Sequence, residues 1–270
     1  MSTSTIIVDR RDATVEIRLS NPDKFNAMSL DMWLTLATHL RALHEDPTVR
    51  ALVIRGDGDK AFVSGADISE FDRVRSAESG SGSGAYDRAV EDAQQALIGC
   101  SFPVIASIHG VCMGGGLGLA LACDLRYAST TARFRMPAAR LGLGYSLSGV
   151  RRMVDIVGAA RAADLFMTAR IFDAHEAERI GLVHAIYPAQ TLDAVVAETV
   201  RNVASNAPLT LSLVKTAINL SLAGNADPSH QSEQASIEIE RRRQMCINSG
   251  DYVEGRRAFA EKREPRFTGK

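Results

Sequence analysis

Neither sign of charge is in excess in this sequence, and long apolar runs are missing from it. Its 270 residues carry 31 basic and 32 acidic side chains, so it lacks the broad positive character by which proteins bind nucleic acid. No apolar run approaches the roughly 18 residues that a membrane-spanning helix needs. We therefore expect neither a nucleic acid nor a membrane as its partner. With 46% hydrophobic residues, the composition is that of a globular protein with a substantial core.

Cysteine is also scarce, and no metal-binding or redox pattern is present. No Cys-x-x-Cys pair or zinc spacing occurs among Cys100, Cys112, Cys123 and Cys246. We expect free thiols in the core, as in a reducing compartment, and no bound metal. The first seven residues are too short and polar for a signal peptide, and Asp9 and Asp12 disfavour a transit peptide. A cytoplasmic location is the resulting expectation.

Hydrophobic patterns divide the chain into an α/β part and a helical part. In the first part strands alternate with helices, which is typical of βαβ units with parallel strands. A helix is predicted after an N-cap at Ser29, and strands are predicted over 5–9, 13–19, 50–55 and 103–108. From about residue 158 onward only 182–186 has strand character, and helices are predicted over 159–168, 174–180, 191–205, 208–223, 229–248 and 251–262. We expect a core domain over 1–195 and a helical region over 196–270.

Two segments rich in small residues follow strand-like stretches and open into helices. They are 60–68, and 108–120 with its triplet Gly114–Gly116. Small side chains at a strand-to-helix turn expose backbone N–H groups, and the first N–H groups of a helix attract negative charge. Two such turns that converge on one point would form an oxyanion hole. Taken alone, the triplet equally predicts close helix–strand packing without chemistry.

The glycine triplet matches neither of the common nucleotide-binding patterns. The sequence has no G-x-x-x-x-G-K-[ST] motif, and no lysine follows the triplet. The triplet also fails to give G-x-G-x-x-G after a first strand. Nucleotide binding is therefore disfavoured.

Further motifs follow one another in a fixed order along nearly the whole chain. They are Asn21-Pro22 with Asn26-Ala27, Ala61-Phe62-Val63-Ser64-Gly65-Ala66-Asp67-Ile68, Pro103-Val104-Ile105-Ala106-Ser107-Ile108-His109-Gly110, Gly114-Gly115-Gly116, Ala122-Cys123-Asp124-Leu125, Phe172-Asp173-Ala174 with Glu176-Ala177, Gly181-Leu182-Val183, Asn206-Ala207-Pro208, and Glu254-Gly255 with Phe259 and Glu261-Lys262-Arg263. Together they resemble the enoyl-CoA hydratase/isomerase (crotonase) family.

The resemblance implies a fold, an assembly and a substrate class. The implied fold is α/β, a crotonase-like spiral of ββα turns whose C-terminal helical region caps the core or joins subunits into trimers or pairs of trimers. The implied substrate is an acyl-CoA thioester, with no cofactor other than the CoA it carries. By position, the N–H groups of Ala66 and Gly115 would bind the thioester oxygen as it becomes an enolate.

The resemblance also implies which residues contact CoA. Those expected beside the adenine and pantetheine are Ser64, Gly65, Ala66, Asp67 and Ile68. Phe259 and Lys262 fall where the family's tail reaches a CoA, often that of the neighbouring subunit. For Lys262, a solvated helix charge is the alternative.

At two positions the chain departs from the family's hydratases. Those enzymes use two glutamates to activate water and to deliver a proton to the α-carbon, and here the matching positions are Gly118 and Ala138. Neither residue can move a proton, and general acid–base catalysis contributes about 10²–10⁴-fold per group. We therefore expect ordinary hydration to be slow, although a main-chain oxyanion hole is retained. The isomerase branch that relies on the second glutamate is also undermined by Ala138.

Tyr145 supports a second interpretation. The order Leu-Gly-x-x-Tyr over 141–145 is similar to the methylmalonyl-CoA decarboxylase branch, in which a tyrosine helps to hold the departing carboxylate. That branch has a histidine where this chain has Ala66, and buried packing is the alternative for Tyr145. A third interpretation is a CoA-binding subunit without turnover. The segments 76–86 and 141–149 are expected to shape the acyl pocket, and the Ser-Gly repeat 79–84 to be a flexible surface loop or a mobile cover.

Three other polar residues are expected to be structural. His109 ends a predicted strand, and we expect it to be a hydrogen-bonded structural histidine rather than a base. Asp67 is expected to cap the helix that follows it. Asp124 is expected to satisfy backbone groups near the start of a strand.

Overall fold

The computed structural model describes residues 4–67, 82–223 and 231–270. Its strands are β1 (Thr5–Arg11), β2 (Thr14–Ser20), β3 (Ala51–Gly56), β4 (Ala61–Val63), β5 (Val104–Ile108), β6 (Val111–Met113), β7 (Leu125–Ser129), β8 (Arg133–Arg135), β9 (Ile171–Asp173) and β10 (Ala185–Tyr187). Its helices are α1 (Leu30–His44), α2 (Gly82–Gly99), α3 (Gly115–Ala122), α4 (Leu147–Val157), α5 (Ala159–Thr168), α6 (Ala174–Arg179), α7 (Ala189–Ala204), α8 (Pro208–Ala223), α9 (Gln231–Ile247) and α10 (Gly250–Glu261). No helix in these ranges is long and apolar enough to cross a bilayer.

Two sheets are built from successive pairs of strands. The six-stranded sheet has the order β1-β2-β3-β5-β7-β10, and the four-stranded sheet has the order β4-β6-β8-β9. The pairs β3–β4, β5–β6 and β7–β8 each cross from the first sheet to the second. Except for the β1–β2 and β8–β9 pairs, neighbouring strands are parallel. This repeated turn of two strands, followed by a helix, confirms the expected α/β fold of crotonase type.

The central strands are apolar along their whole length because both faces of the large sheet are covered. All five residues of β5 are buried, as expected for a parallel strand with helices on both sides. One face packs against α7, where Leu192, Val196 and Val200 meet side chains of β3 and β5. The other face holds the main core, whose largest fully buried side chains include Trp33, Phe62 and Phe134.

A buried lysine attaches the helical part of the chain to the sheet. The Nζ atom of Lys215 on α8 donates to the carbonyl oxygens of Leu97 and Phe102, both at 3.1 Å, and pairs with Asp124 Oδ2 at 2.8 Å. The same carboxylate oxygen accepts from the N–H of Val104, at 2.7 Å. The expected backbone role of Asp124 is therefore confirmed, and the buried ammonium is fully paired, as burial of a charge requires.

Several elements differ from the sequence-based expectations. Part of the segment expected to be a loop is helical, since α2 begins at Gly82; residues 68–81 lie outside the described part of the chain. Strand β10 begins at Ala185 instead of residue 182, and β9 was missed. Helix α4 also begins inside the expected pocket segment 141–149. Strands of three residues are too short to show a period, and tertiary packing decided where these elements begin.

The cysteines are free thiols. Cys100, Cys112 and Cys123 are buried, as expected, whereas Cys246 is half-buried on α9. Burial raises the pKa of Cys100 to about 11 and that of Cys123 to about 12. These two thiols therefore remain protonated and are poor nucleophiles.

Candidate active site

The two small-residue turns lie side by side because the strands before them are neighbours. Strands β4 and β6 are parallel, with Ala61 opposite Val111 and Val63 opposite Cys112. The ends of parallel strands meet at one edge of a sheet, so the turn after β4 and the turn after β6 emerge together. A Cβ atom built on Gly114 would lie 3.9 Å from the Cα atom of Gly65. The turns are thus in contact.

Hydrogen bonds on either side of Ala66 fix its peptide group. The Met28 N–H donates to the Gly65 carbonyl at 2.9 Å, and the Asp67 N–H donates to the Met28 carbonyl at 3.0 Å. In such a parallel bridge the N–H of the middle residue points away from the partner strand. Gly115 is the first residue of α3, where an N–H has no acceptor within the helix. Within the described ranges neither N–H donates to a backbone acceptor.

Both close packing and backbone conformation require glycine in the triplet that follows β6. Gly114 has a φ angle of +52°, a conformation that side chains strongly disfavour. At Gly116 a Cβ atom would lie 2.5 Å from the Cβ atom of Val63, so no larger residue fits between α3 and β4. The triplet therefore allows helix–strand packing and places the Gly115 N–H at the turn.

Ala66 and Gly115 both line a cavity of about 290 Å³. Helix α2 forms a second wall with residues at helical spacing, and the segment 143–146 forms a third. The α2 residues in the lining are Tyr86, Asp87, Val90, Glu91 and Gln94. The described residues of the lining include two carboxylates and no lysine or arginine.

Tyr86 fixes α2 against the turn that holds Ala66. Its hydroxyl accepts a hydrogen bond from Trp33 Nε1 at 2.8 Å and donates to the Met28 carbonyl at 3.1 Å. Met28 is the residue paired with Ala66, and a Cβ atom on Gly115 would lie 3.4 Å from Trp33 Cζ2. The N-terminal part of α2 is thereby held next to both N–H groups.

The space beside Gly118 is already filled by two polar side chains. A Cβ atom built on Gly118 would lie 2.7 Å from Gln94 Nε2 and 2.9 Å from the Tyr145 hydroxyl oxygen. Ala138 is buried in a short 3₁₀ turn, Ala138–Arg140, and does not line the cavity.

The ring of Tyr145 is held by its neighbours, and its hydroxyl is protonated. The ring meets Phe166 edge-on, with centroids 5.2 Å apart, and a Cβ atom on Gly149 would lie 2.4 Å from Tyr145 Cε1. Burial raises the pKa of Tyr145 to about 12, because the low-dielectric surroundings disfavour the phenolate. At neutral pH the hydroxyl is therefore a hydrogen-bond donor on the cavity wall.

Comparison with known proteins decides the family. The sequence model described as enoyl-CoA hydratase/isomerase matches residues 9–270. The chain belongs to the enoyl-CoA hydratase/isomerase family. It is 32% identical over 270 residues to a crotonyl-CoA hydratase of Syntrophomonas wolfei, covering 100% of both chains. It is 31% identical over 264 residues to a short-chain-enoyl-CoA hydratase of Clostridium acetobutylicum, covering 98% of this chain and 97% of that one.

A solved structure supports the same assignment. The crystal structure of an enoyl-CoA hydratase/carnithine racemase from Magnetospirillum magneticum superposes with a TM-score of 0.90 at 34% identity. The match covers 100% of this chain and 97% of that one. The chain is therefore a hydratase-like enzyme of the crotonase superfamily in both sequence and fold.

Of the residues that the family resemblance singled out, Ser64 and Asp67 hold the turn together. The Ser64 hydroxyl donates to the Lys24 carbonyl at 3.0 Å. The buried Asp67 carboxylate accepts from Lys24 Nζ at 2.7 and 2.9 Å. The helix that Asp67 was expected to cap lies outside the described residues, as does Ile68.

The other expected residues lie elsewhere. Phe259 and Lys262 stand at the end of α10, where Phe259 is 88% exposed, and neither lines the cavity of its own chain. Buried His109 is structural, as expected, because its Nε2 atom is 2.9 Å from Asp193 Oδ1 on α7.

Sequence reasoning missed the α2 wall. Asp87, Glu91 and Gln94 are spaced i, i+4 and i+7, which places them on one face of a helix. That spacing was the feature of the sequence that could have predicted a polar helix face here. The Gly-Ser run just before it hid the beginning of the helix, because glycine and serine favour loops.

Proposed function

We propose that this chain acts on acyl-CoA thioesters and stabilises the thioester enolate with the N–H groups of Ala66 and Gly115. The observation that carries the proposal is the convergence of these two residues on one cavity, from turns after neighbouring strands. Donors placed about 2.7–3.1 Å from a developing oxyanion stabilise it strongly, because they are fixed before the reaction. The hydratase names of the relatives support the same substrate class.

The CoA part of the substrate would extend along Ser64, Gly65, Asp67 and Ile68. Phe259 and Lys262 would reach it from a neighbouring subunit of a trimer or of a pair of trimers. Their exposure at the end of α10 supports this arrangement. No cofactor besides the CoA of the substrate is part of the proposal.

Hydration by two glutamates is not available at the family's positions. Gly118 and Ala138 offer no proton-transferring group, and Gln94 and Tyr145 fill the space into which an acid at 118 would project. Each missing group corresponds to about 10²–10⁴-fold in rate. The proposal is therefore enolate chemistry with slow ordinary hydration.

Decarboxylation is the second candidate, favoured by the protonated Tyr145 hydroxyl on the cavity wall. Loss of CO₂ itself produces the enolate, so a strong base is unnecessary, and the hydroxyl would hold the departing carboxylate. Glu91 opposes this reaction, because its carboxylate lines the same cavity and repels a carboxylate on the acyl group. We therefore place decarboxylation second.

One incubation tests both candidates. The purified protein is mixed with crotonyl-CoA and methylmalonyl-CoA, and the products are identified by mass spectrometry. Slow addition of water to crotonyl-CoA is the expected result, whereas loss of CO₂ from methylmalonyl-CoA supports the second candidate. If both come back unchanged while CoA thioesters still raise the melting temperature, a binding subunit without turnover replaces the proposal.

A further inference from the structure

We propose that Glu91 on α2 is the proton-transferring group of this enzyme, and that Ser148 is the residue that positions it. This inference rests on the proposed enolate chemistry. It assigns the acid–base role to a different wall of the cavity from the one that carries Gly118.

Helix α2 runs along the cavity between two fixed points. At one end Tyr86 is bonded to Met28, beside Ala66 and close to Gly115. At the other end Gln94 contacts the position of Gly118. Glu91 lies between them in the lining, roughly 7 Å along the helix axis from Tyr86 and roughly 4–5 Å from Gln94. A carboxylate there would face the acyl part of a thioester whose oxygen is bound by the two N–H groups.

The Glu91 carboxylate is hydrogen-bonded to a serine just beyond the wall formed by 143–146. The Ser148 hydroxyl donates to Glu91 Oε1 at 3.0 Å, and the Ser146 and Ser148 hydroxyl oxygens are 3.1 Å apart. Ser146 is the N-cap of α4, because its Oγ atom accepts from the Gly149 N–H at 3.2 Å. Among the described residues no second group bonds to this carboxylate, so Oε2 is available to a proton.

Asp87 is the competing carboxylate on the same wall. It also lines the cavity, but it is one helical turn further from Gln94 and Gly118, next to Tyr86. Asp87 therefore provides the matched control: a second acid, on the same helix face, with the same charge.

In the proposed reaction Glu91 acts first as the base and then as the acid. Addition of water to an enoyl thioester forms a C–O bond at Cβ while the water proton passes to the Glu91 carboxylate. The electrons of the double bond move to the thioester oxygen, held by the Ala66 and Gly115 N–H groups. The Glu91 carboxylic acid then returns the proton to Cα, and the net change is addition of one water. The Glu91 carboxylate in the lining favours an uncharged acyl group as the substrate class.

The test is exchange of the α-protons of butyryl-CoA in D₂O, followed by mass spectrometry. This probe has no double bond to hydrate and no carboxylate to lose, so it reports proton transfer at Cα alone. Glu91→Gln is expected to lower the exchange rate about 10²–10⁴-fold, while Asp87→Asn lowers it less than about tenfold and both variants bind butyryl-CoA. An equal loss in both variants, or an unchanged rate in Glu91→Gln, would overturn the assignment.

The positioning role of Ser148 is tested by comparing the effect of its substitution on the exchange rate with the effect on binding. Ser148→Ala is expected to lower the exchange rate at saturating butyryl-CoA several-fold without weakening binding, and Ser148→Thr, which keeps the hydroxyl, is expected to restore it. Equal rates for the alanine and threonine variants would remove the positioning role. If the proposed function itself is wrong, the outcome is different: the wild type binds butyryl-CoA but exchanges no deuterium.

Discussion

The two walls of the cavity present different chemical groups from different parts of the chain. The wall of β4, β6 and α3 presents main-chain N–H groups, and its Gly116 packs against Val63. The α2 wall supplies side chains, among them Glu91 and Gln94. Substitution cannot remove an N–H except by proline, whereas a carboxylate is lost by one change. The first wall carries the two turns that the family motifs predict, and in our proposal the acid–base group lies on the second wall.

The largest expected effect tests the main-chain wall. Gly115→Pro removes one of the two N–H groups at the first position of a helix, where proline is well tolerated. We expect deuterium exchange into butyryl-CoA to fall about 10²–10³-fold. Gly115→Ala is the control, because it meets Trp33 at the same 3.4 Å but keeps the N–H. Equal losses in both variants would show that the contact with Trp33, and not the donor, matters.

The next effect tests whether the lost acid can be restored. Gly118→Glu places its Cβ within 3 Å of both Gln94 and Tyr145, so we expect a loss of about 1–3 kcal/mol in the free energy of unfolding and no gain in crotonyl-CoA hydration. Adding Gln94→Ala, which clears part of that space, is expected to recover stability and raise hydration above that of either single variant. Urea unfolding and product analysis measure the two effects. A hydration gain from Gly118→Glu alone would contradict the filled-space argument.

A smaller effect is expected where Tyr145 rests on Gly149. In Gly149→Ala the new methyl group overlaps the tyrosine ring, at 2.4 Å from Cε1. The overlap costs about 1–3 kcal/mol, and the better helix propensity of alanine offsets about 1 kcal/mol. We expect a net loss near 1 kcal/mol by urea unfolding. When Gly149→Ala is made in the Tyr145→Ala variant, the overlapping ring is absent. The double variant should therefore be at least as stable as Tyr145→Ala alone, because only the gain in helix propensity remains.

The smallest effect concerns pH and Tyr145. Its pKa is raised from 10.0 to about 12 in the folded chain, so between these values the folded state binds more protons than the unfolded state. Stability from this group is complete below pH 10 and is lost as the pH rises toward 12. Tyr145→Phe is expected to lose less stability than the wild type between about pH 9 and about pH 11. Identical losses would mean that the hydroxyl is not desolvated.

The sequence determined the family and much of the scaffold. Continuous apolar runs predicted β3 and β5, and the helices 159–168 and 208–223 were predicted with the bounds they have. The small-residue turns at Ala66 and Gly115 were also visible, because a main-chain site needs glycine and alanine whatever else surrounds it. The family motifs also imply that the two turns belong to one site.

The tertiary structure alone decided what surrounds the positions of the missing acids. That Gln94 and Tyr145 fill the space beside Gly118, and that Glu91 meets Ser148, depends on contacts between helices far apart in sequence. A local pattern reports the face of a helix but not its partner across a cavity. Helix α2 itself follows a Gly-Ser run with little helix propensity, so packing against α1 and α3, and not local preference, fixes its position. The chemistry of the main chain was therefore readable in the sequence, whereas the chemistry of the opposing side chains required the fold.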